Sequence, residues 1–392
     1  MRIVILGGAG TIGRVIALDL VQDVEEVIIA DRDLGAALRT AERVGKGARA
    51  VEVDVTDEKA LRDLLRGADT CINSVNYYFN LDVMQACRDA GVPYLDLGGL
   101  FHVTRKQLEL HESFREAGVT AVLGLGSCPG VANVHAGWLG GMLDTVEYVR
   151  IYNGSTQDEG ESLAAPYAIQ TILDEISKPA MVFRDGAFVE LPPVSEEEYY
   201  LFPEPIGWAK THLSLHSEVA TIPLSLADKG IRECFFKITF FGYSEASLRR
   251  LQFLADVGLA GTGPIEVDGA EVRPRQGLLK LLETVPQTSQ KPKSKGFKDV
   301  VTEVKGTRDG KVVVLRADTT GWPHPEWEVS GGTLLVGVPP AVLARWMADG
   351  RLKRPGVWPP EQVVEARPFF DELATRGFTT TFTRTDTFAA PS

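Results

Sequence analysis

The sequence predicts an α/β protein that opens with a doubly wound parallel sheet and continues into an inserted α+β unit. Three observations carry this. Short apolar runs ending in turn residues recur before Asp144, helical patterns lie between most of them, and the first run opens into a glycine-rich turn.

The runs are Ile3–Leu6, Val27–Ala30, Ala50–Val53, Thr70–Asn73, Pro93–Leu95 and Thr120–Leu123, with helical patterns such as Ile12–Val21 and Leu81–Ala90 between them. Short apolar strands separated by helices need crossover connections, and hence a parallel sheet buried on both faces. Near Asp144 the pattern changes. Longer β-like segments follow at Val146–Tyr152, Ala180–Phe183, Glu233–Phe241 and Val312–Ala317, with a helix over Ser244–Val257. That mixture predicts an α+β domain with a mostly antiparallel sheet. Glu190–Trp208, rich in Pro, Glu and Tyr, reads as a long excursion, and the basic Lys291–Lys298 as a solvated loop. After Gly332 come a strand-like Thr333–Val338, a helix Pro339–Asp349 and a second helix near Phe369–Arg376. The paired prolines suit the first turn of a helix. The expected domains are therefore 1–143 for the dinucleotide, 144–332 for substrate and dimerisation, and 333–392 as a C-terminal segment.

Bulk properties narrow the partners. The 392 residues carry 53 acidic against 41 basic side chains, a formal net charge of −12. That excess repels phosphate backbones and anionic lipid, so neither nucleic acid nor membrane is expected as a partner. Met1–Leu6 is too short for the apolar core of a signal peptide, and no apolar run is long enough to span a bilayer. Cys71, Cys87, Cys128 and Cys234 are scattered, which fits a reducing cytoplasm and neither a disulfide framework nor a zinc cluster.

The most informative segment is Gly7-Gly8-Ala9-Gly10-Thr11-Ile12-Gly13, which holds Gly-x-Gly-x-x-Gly at Gly8, Gly10 and Gly13. It follows a strand and opens a helix, the context the motif requires. Gly8 permits a tight turn, Gly10 lets the backbone approach a pyrophosphate, and Gly13 lets helix and strand pack closely. The helix start at Thr11 and Ile12 offers N–H groups and a positive dipole end to the phosphates. Asp31 ends the next strand, where a carboxylate accepts ribose hydroxyls and repels a 2′-phosphate. NAD is therefore expected, with NADP possible because Arg32 follows. Asp54 and Val55 end the third strand, beside the adenine in this Rossmann arrangement; a helix cap for Asp57–Leu65 is an equal reading of Asp54. Asn73 and Val75 end the fourth strand, bordering pyrophosphate and nicotinamide.

The same opening resembles extended short-chain dehydrogenases, but none of the nine tyrosines has a lysine four residues later, as that chemistry requires. A better resemblance rests on Asn73-Ser74-Val75-Asn76-Tyr77-Tyr78-Phe79-Asn80, Tyr94-Leu95-Asp96-Leu97-Gly98-Gly99, Gly124-Leu125-Gly126-Ser127-Cys128-Pro129-Gly130, Ile172-Leu173-Asp174-Glu175 with Lys178-Pro179-Ala180, and Gly356-Val357-Trp358-Pro359-Pro360-Glu361. In this order they resemble the saccharopine dehydrogenase family, and within it the lysine 6-dehydrogenase branch. The resemblance implies a Rossmann domain, an inserted α+β domain and C-terminal helices returning to the first domain. It also implies hydride transfer from a carbon bearing nitrogen in an amino-acid substrate, and a homo-oligomer. Saccharopine-cleaving members resemble Leu-Asp-Pro-Gly where this chain has Ser127-Cys128-Pro129-Gly130. That departure favours a primary amine, the side chain of L-lysine, over saccharopine; other opine or carboxynorspermidine-type substrates stay open. A non-catalytic dinucleotide sensor is the reading from another class.

Oxidation at such a carbon needs a proton carrier. The resemblance places Tyr77 at the carboxyl edge of the sheet, as a catalytic residue or a packing aromatic. Thr211–Glu218 alternates polar and apolar, so a strand there would project His212, Ser214, His216 and Glu218 from one face. His216 has a side chain suited to proton transfer near neutrality; Glu218 is a candidate for holding a substrate ammonium and His212 for substrate binding. Cys128 reads as pocket lining. Asp96 is a candidate for substrate binding or a turn cap. No third ligand joins His212 and His216, so no metal is expected.

Overall fold

A computed structural model describes residues 1–156, 169–240, 244–284 and 296–386. Six parallel strands lie close to the expected runs: β1 (Arg2–Leu6), β2 (Glu26–Asp31), β3 (Ala48–Glu52), β4 (Thr70–Asn73), β5 (Tyr94–Asp96) and β6 (Thr120–Val122). Their order is β3-β2-β1-β4-β5-β6, with a seventh parallel strand, Gly356–Trp358, added beside β6. The seventh strand comes from far along the chain, and nothing in its three residues announced it.

Successive strand residues alternate between two buried faces. Ile3, Ile5, Ile29 and Ile72 pack on one side with the helix Thr11–Leu20. Val4, Leu6, Ile28 and Cys71 pack on the other with Leu61, Leu65, Met84 and Phe114. Asp33 and Asp57 each cap the helix that follows, accepting backbone N–H groups in its first turn.

The second sheet is built from β7 (Thr145–Ser155), β8 (Ala180–Arg184), β9 (Ala187–Leu191), β10 (Glu198–Leu201), β11 (Trp208–Leu213) and β12 (Glu233–Ile238), with β15 (Lys298–Arg308) and β16 (Lys311–Gly321) further on. Between β12 and β15 a separate pair, β13 (Ile265–Val267) and β14 (Ala270–Val272), stands alone. Counting Gly356–Trp358 as β17, the last strand is β18 (Thr379–Asp386). The order β10-β11-β12-β7-β15-β16-β18 is antiparallel except where β12 meets β7 in parallel. The C-terminal segment therefore serves both sheets: β17 extends the first and β18 the second. The expected helix over Ser244–Val257 is present as Glu245–Asp256, capped by Ser244.

Four expectations change. Thr333–Val338 is not a strand but part of one helix, Gly331–Ala348, capped by Ser330 and running through Pro339 and Pro340. Leu334, Leu335, Val338, Val342, Leu343 and Trp346 are all buried. An apolar run of this length reads alike as strand or buried helix. Burial at about 1.5–3 kcal/mol per large side chain outweighs roughly 3 kcal/mol for each interior proline. Second, the strand expected over Thr211–Glu218 stops at Leu213, and a helix begins at Glu218 behind Ser217. Third, the basic Lys291–Lys298 is not all solvated loop. Residues 291–295 lie outside the described residues, as does Phe241, but Lys298 opens β15 and is buried. Fourth, the excursion Glu190–Trp208 includes β10, an edge of the sheet. Among the described residues no helix is long and apolar enough to cross a membrane.

Candidate active site

The turn between β1 and the helix Thr11–Leu20 is a cradle that only glycine permits. A Cβ on Gly13 would lie 2.3 Å from the Gly7 carbonyl oxygen, and one on Gly8 would lie 3.0 Å from the Ile29 side chain. Gly7 itself has φ 72°, with Val75 packed against it. No side chain caps the helix at Gly10, so the first amides face outward unclaimed by one. At the end of β2, the Asp31 carboxylate accepts N–H groups from Ala9 at 3.3 Å and Asp33 at 3.1 Å. The acid is thereby braced against the turn. Arg32 is exposed. Asp54, also exposed, accepts the N–H and hydroxyl of Thr56 at 2.9 and 2.7 Å, which holds its carboxyl below the usual range. A pyrophosphate fits this turn, because no side chain caps the helix-start amides and Gly10 carries none to bar the approach.

Beyond the turn, the loops after β5 and β6 interlock. Asp96 is fully buried and saturated. It accepts N–H groups from Gly98 (2.9 Å), Gly124 (2.7 Å) and the side chains of Gln107 (2.6 Å) and Asn80 (3.2 Å), and the Tyr94 hydroxyl at 2.8 Å. Burial still raises its pKa above the ordinary value. With five donors it has no face left for substrate, so the expected substrate role of Asp96 gives way to fastening two loops. Asn73, at the end of β4, is tied into the same network. Its amide is spent on Asn80 and Tyr94, at 3.0 and 3.3 Å. Pro129 plugs between the loops, where a Cβ on Gly98 or Gly124 would meet it at 2.7 or 2.8 Å. The plug places Cys128 beside the second domain.

There a buried acid–base set assembles. His216 Nδ1 is in a short hydrogen bond with Glu218 Oε2, and the imidazole stacks on Phe236 at 3.9 Å. Burial disfavours the imidazolium, but Glu218 prevails and raises the His216 pKa above its usual value. Glu218 Oε1 is buried and takes no hydrogen bond of ordinary geometry from the described residues. Cys128, Glu175 and Lys298 complete the set. Burial, then Glu218, keeps the Cys128 thiol protonated. Burial lowers the Lys298 pKa, although Cys128, Glu175 and Glu218 pull against it. Ser217 ties the set to the first domain by accepting the Gly99 N–H at 3.3 Å.

His212 is not part of it. Its ring lies against Phe240, with Nδ1 3.6 Å from Glu197, and its charged neighbours are Glu197, Glu245, Arg249 and Lys210. Burial lowers its pKa. The alternation that seemed to join His212 to Glu218 breaks at the turn after Leu213.

Tyr77 enters a second cluster. Its hydroxyl donates to buried Asp174 at 2.6 Å and accepts from Lys178 at 3.2 Å; Tyr78 also donates to Asp174. Arg275 pairs with Asp174 at 2.8 Å and donates to the Tyr78 hydroxyl at 3.1 Å. Burial works to raise the Asp174 pKa, but donation from Tyr77, Tyr78 and Arg275 outweighs it and keeps the carboxylate ionised. Burial and that carboxylate push the Tyr77 pKa far above its ordinary value. The Tyr77 hydroxyl is thus held as a donor to Asp174. Asp174, Glu175 and Lys178 stood in segments quoted for the resemblance, without a role. Arg275 and Lys298 had no local signal at all.

A glycine cradle at a helix start, an acid at the neighbouring strand end, and a polar set where a second domain meets the carboxyl edge define a dinucleotide-dependent dehydrogenase. Residues 3–122 match the model of the saccharopine dehydrogenase NADP binding domain, and residues 128–378 that of the saccharopine dehydrogenase C-terminal domain. The chain belongs to the saccharopine dehydrogenase family and is an NAD(P)-dependent oxidoreductase. It is 26% identical over 395 residues to a carboxyaminopropylagmatine dehydrogenase from Synechocystis sp., covering 96% of each chain. It is 26% identical to a carboxynorspermidine synthase from Vibrio alginolyticus, covering 94% of each. Its fold resembles that of saccharopine dehydrogenase (L-Glu forming) from Saccharomyces cerevisiae, with a TM-score of 0.72, 17% identity and coverage of 98% of this chain and 99% of that one.

Proposed function

We propose that the protein breaks or forms the C–N bond at a carbon bearing nitrogen in a carboxylated amine, and that a carboxylated polyamine is its first substrate class. The observation that supports this best is the buried set of Glu175, Glu218, His216 and Lys298 beside the loops after β5 and β6. A substrate nitrogen is cationic until it loses a proton, and the buried Glu218 carboxylate, between His216 and Cys128, offers it an anionic acceptor. The names of the relatives, which denote a carboxylated agmatine and a carboxylated norspermidine, support the same class. L-Lysine, favoured by the Ser127-Cys128 departure, carries the same ammonium and is the second reading.

In this reading Gly8, Gly10, Thr11, Ile12 and Gly13 receive the pyrophosphate. Asp31 receives the ribose hydroxyls and favours NAD over NADP, with Arg32, Asp54, Val55 and Val75 around the nucleotide. When bound, the nicotinamide gives or takes the hydride at the carbon bearing nitrogen. His216, whose imidazolium Glu218 favours, donates the proton that lets water leave when amine and carbonyl condense, and takes it back in the reverse direction. Cys128 lines the site as a neutral thiol. Tyr77 and Asp174 position the loop after β4.

The test is NAD(P)(H) turnover with carboxynorspermidine, carboxyaminopropylagmatine, saccharopine and L-lysine. The carboxylated polyamines should turn over fastest. Faster turnover of L-lysine selects the second reading, and cofactor binding without turnover of any of the four rejects both.

A further inference from the structure

The helix Thr11–Leu20 presents the amides of the glycine turn at its start, and the C-terminal segment grips it on its flank and at its far end. On the flank, a Cβ on Gly337 would lie 2.6 Å from Val15 Cγ1, 2.7 Å from Val15 Cβ and 3.5 Å from the Ile12 carbonyl oxygen. The helices Thr11–Leu20 and Gly331–Ala348 are thus too close to admit a side chain between them. Val15 is fully buried and β-branched, so it cannot swing aside. Gly13 and Val15 stand about 200° apart around the helix, and a Cβ on Gly13 would strike the backbone of Gly7 and Gly8. The first turn of this helix is therefore clamped between two opposed glycine contacts, one in the turn itself and one far along the chain.

At the far end, Asp19 is buried and claimed by two arginines of the same C-terminal segment. Arg345 Nη1 donates to Asp19 Oδ1 at 2.5 Å, and Arg376 Nε donates to Oδ2 at 2.8 Å. Arg345 also donates to the Asp19 carbonyl oxygen and to the Asp23 carboxylate, each at 2.7 Å. A helix end leaves its last carbonyls without partners and carries partial negative charge, and one guanidinium answers both. A helix held on its flank at Val15 and by its end at Asp19 can neither slide nor roll.

We propose that Gly337 and Arg345 are positioning residues of the cofactor site. Acting through the helix Thr11–Leu20, they set where the amides of Thr11 and Ile12 stand, and so set the affinity for the dinucleotide. The inference rests on that turn receiving the pyrophosphate. Both amides lie within about one turn of Val15, so a displacement at Val15 reaches them undiminished. Hydrogen bonds to an anion are short and directional, and a displaced donor loses them.

Titration of the full chain with NADH and NADPH, followed by their fluorescence, tests this. Gly337→Ala should weaken binding about tenfold or more, the equivalent of one charge-assisted hydrogen bond, with circular dichroism unchanged. Val15→Gly removes both side-chain atoms that the new methyl meets, so Gly337→Ala/Val15→Gly should bind more tightly than Gly337→Ala alone. Leu248→Ala separates position from stability. This cavity in the buried face of the helix Glu245–Asp256 should lower the melting temperature and leave affinity within about twofold of wild type. Arg345→Lys replaces a planar fork by a point charge and should weaken binding about threefold; it decides the matter if Gly337→Ala does not fold. Affinity within about twofold of wild type in both Gly337→Ala and Arg345→Lys, a loss that Val15→Gly does not relieve, or an equal loss in Leu248→Ala would overturn the assignment. A wild type that binds neither nucleotide would overturn the cofactor turn itself, and this assignment with it.

Discussion

The dinucleotide turn and the buried acid–base set lie on the same edge of one sheet but are made of opposite materials. The turn is a single contiguous stretch, Gly7–Gly13, that works through backbone amides and missing side chains. The set is ionisable side chains brought from Cys128, Glu175, His216, Glu218 and Lys298, on elements of the second domain and the loop after β6. The turn has one solution, because a single methyl group on Gly13 would collide with the turn's own backbone. The set has many near-solutions, since each member's charge is tuned by the others. Cofactor binding should therefore be brittle to small steric changes, and proton transfer sensitive to charge without loss of fold.

The steric side should give the largest effect. Gly13→Ala places a methyl 2.3 Å from the Gly7 oxygen. Overpacking alone is about 1–3 kcal/mol, and splaying the turn removes the amides from the phosphates as well. Calorimetric titration should find no measurable NAD(P) binding; a near-normal affinity would break the comparison. Next comes Asp31→Ala. Charge-assisted hydrogen bonds contribute roughly 1.5–3 kcal/mol, or about ten- to a hundredfold in NAD affinity. NADP should lose less, and equal losses would remove Asp31 from ribose recognition.

Glu218→Gln tests the charged side. Glu218 raises the His216 pKa, so the imidazolium persists to higher pH in the wild type. The variant's rate of reductive condensation should fall at lower pH, near or below the unperturbed value of about 6.5. The same coupling has a stability signature. The raised pKa stabilises the folded chain fully below the unfolded value, and the gain disappears as pH rises through the folded one. The melting-temperature gap between wild type and variant should accordingly be wider in mild acid than in alkali. An identical gap at both would mean that the pair is not coupled. The smallest effect belongs to Tyr77→Phe, which removes one of several donors from Asp174 and about 1 kcal/mol. Turnover should drop a few fold with NAD affinity intact. A collapse of turnover would restore Tyr77 as the proton carrier and sharpen the contrast in a new place.

What could be read from the chain follows the same divide. The turn, its strand–helix context and Asp31 are local features, and so are the parallel strands with their apolar runs. The Asp-Gly of the β13–β14 hairpin was a local signal as well, passed over between longer segments. The acid–base set was only half legible. His216 and Glu218 stand two residues apart, but alternation wrongly joined them to His212, because a strand turning into a helix at Ser217 leaves the polar spacing unchanged. Lys298 looked like the end of a basic loop until β15 buried it. Asp96 looked available because its five donors come from five places in the chain. Burial and partnership are tertiary facts, and no local pattern encodes them.

The position of β17 bears on how the chain is made. The first sheet gains its outer strand from Gly356–Trp358, so a nascent chain that has finished β6 still exposes an open backbone edge for most of its synthesis. Such edges are templates for pairing with other chains. The first sheet is thus complete only after β17 has been made, and a truncation before Gly356 should release an aggregation-prone fragment rather than a working cofactor-binding module.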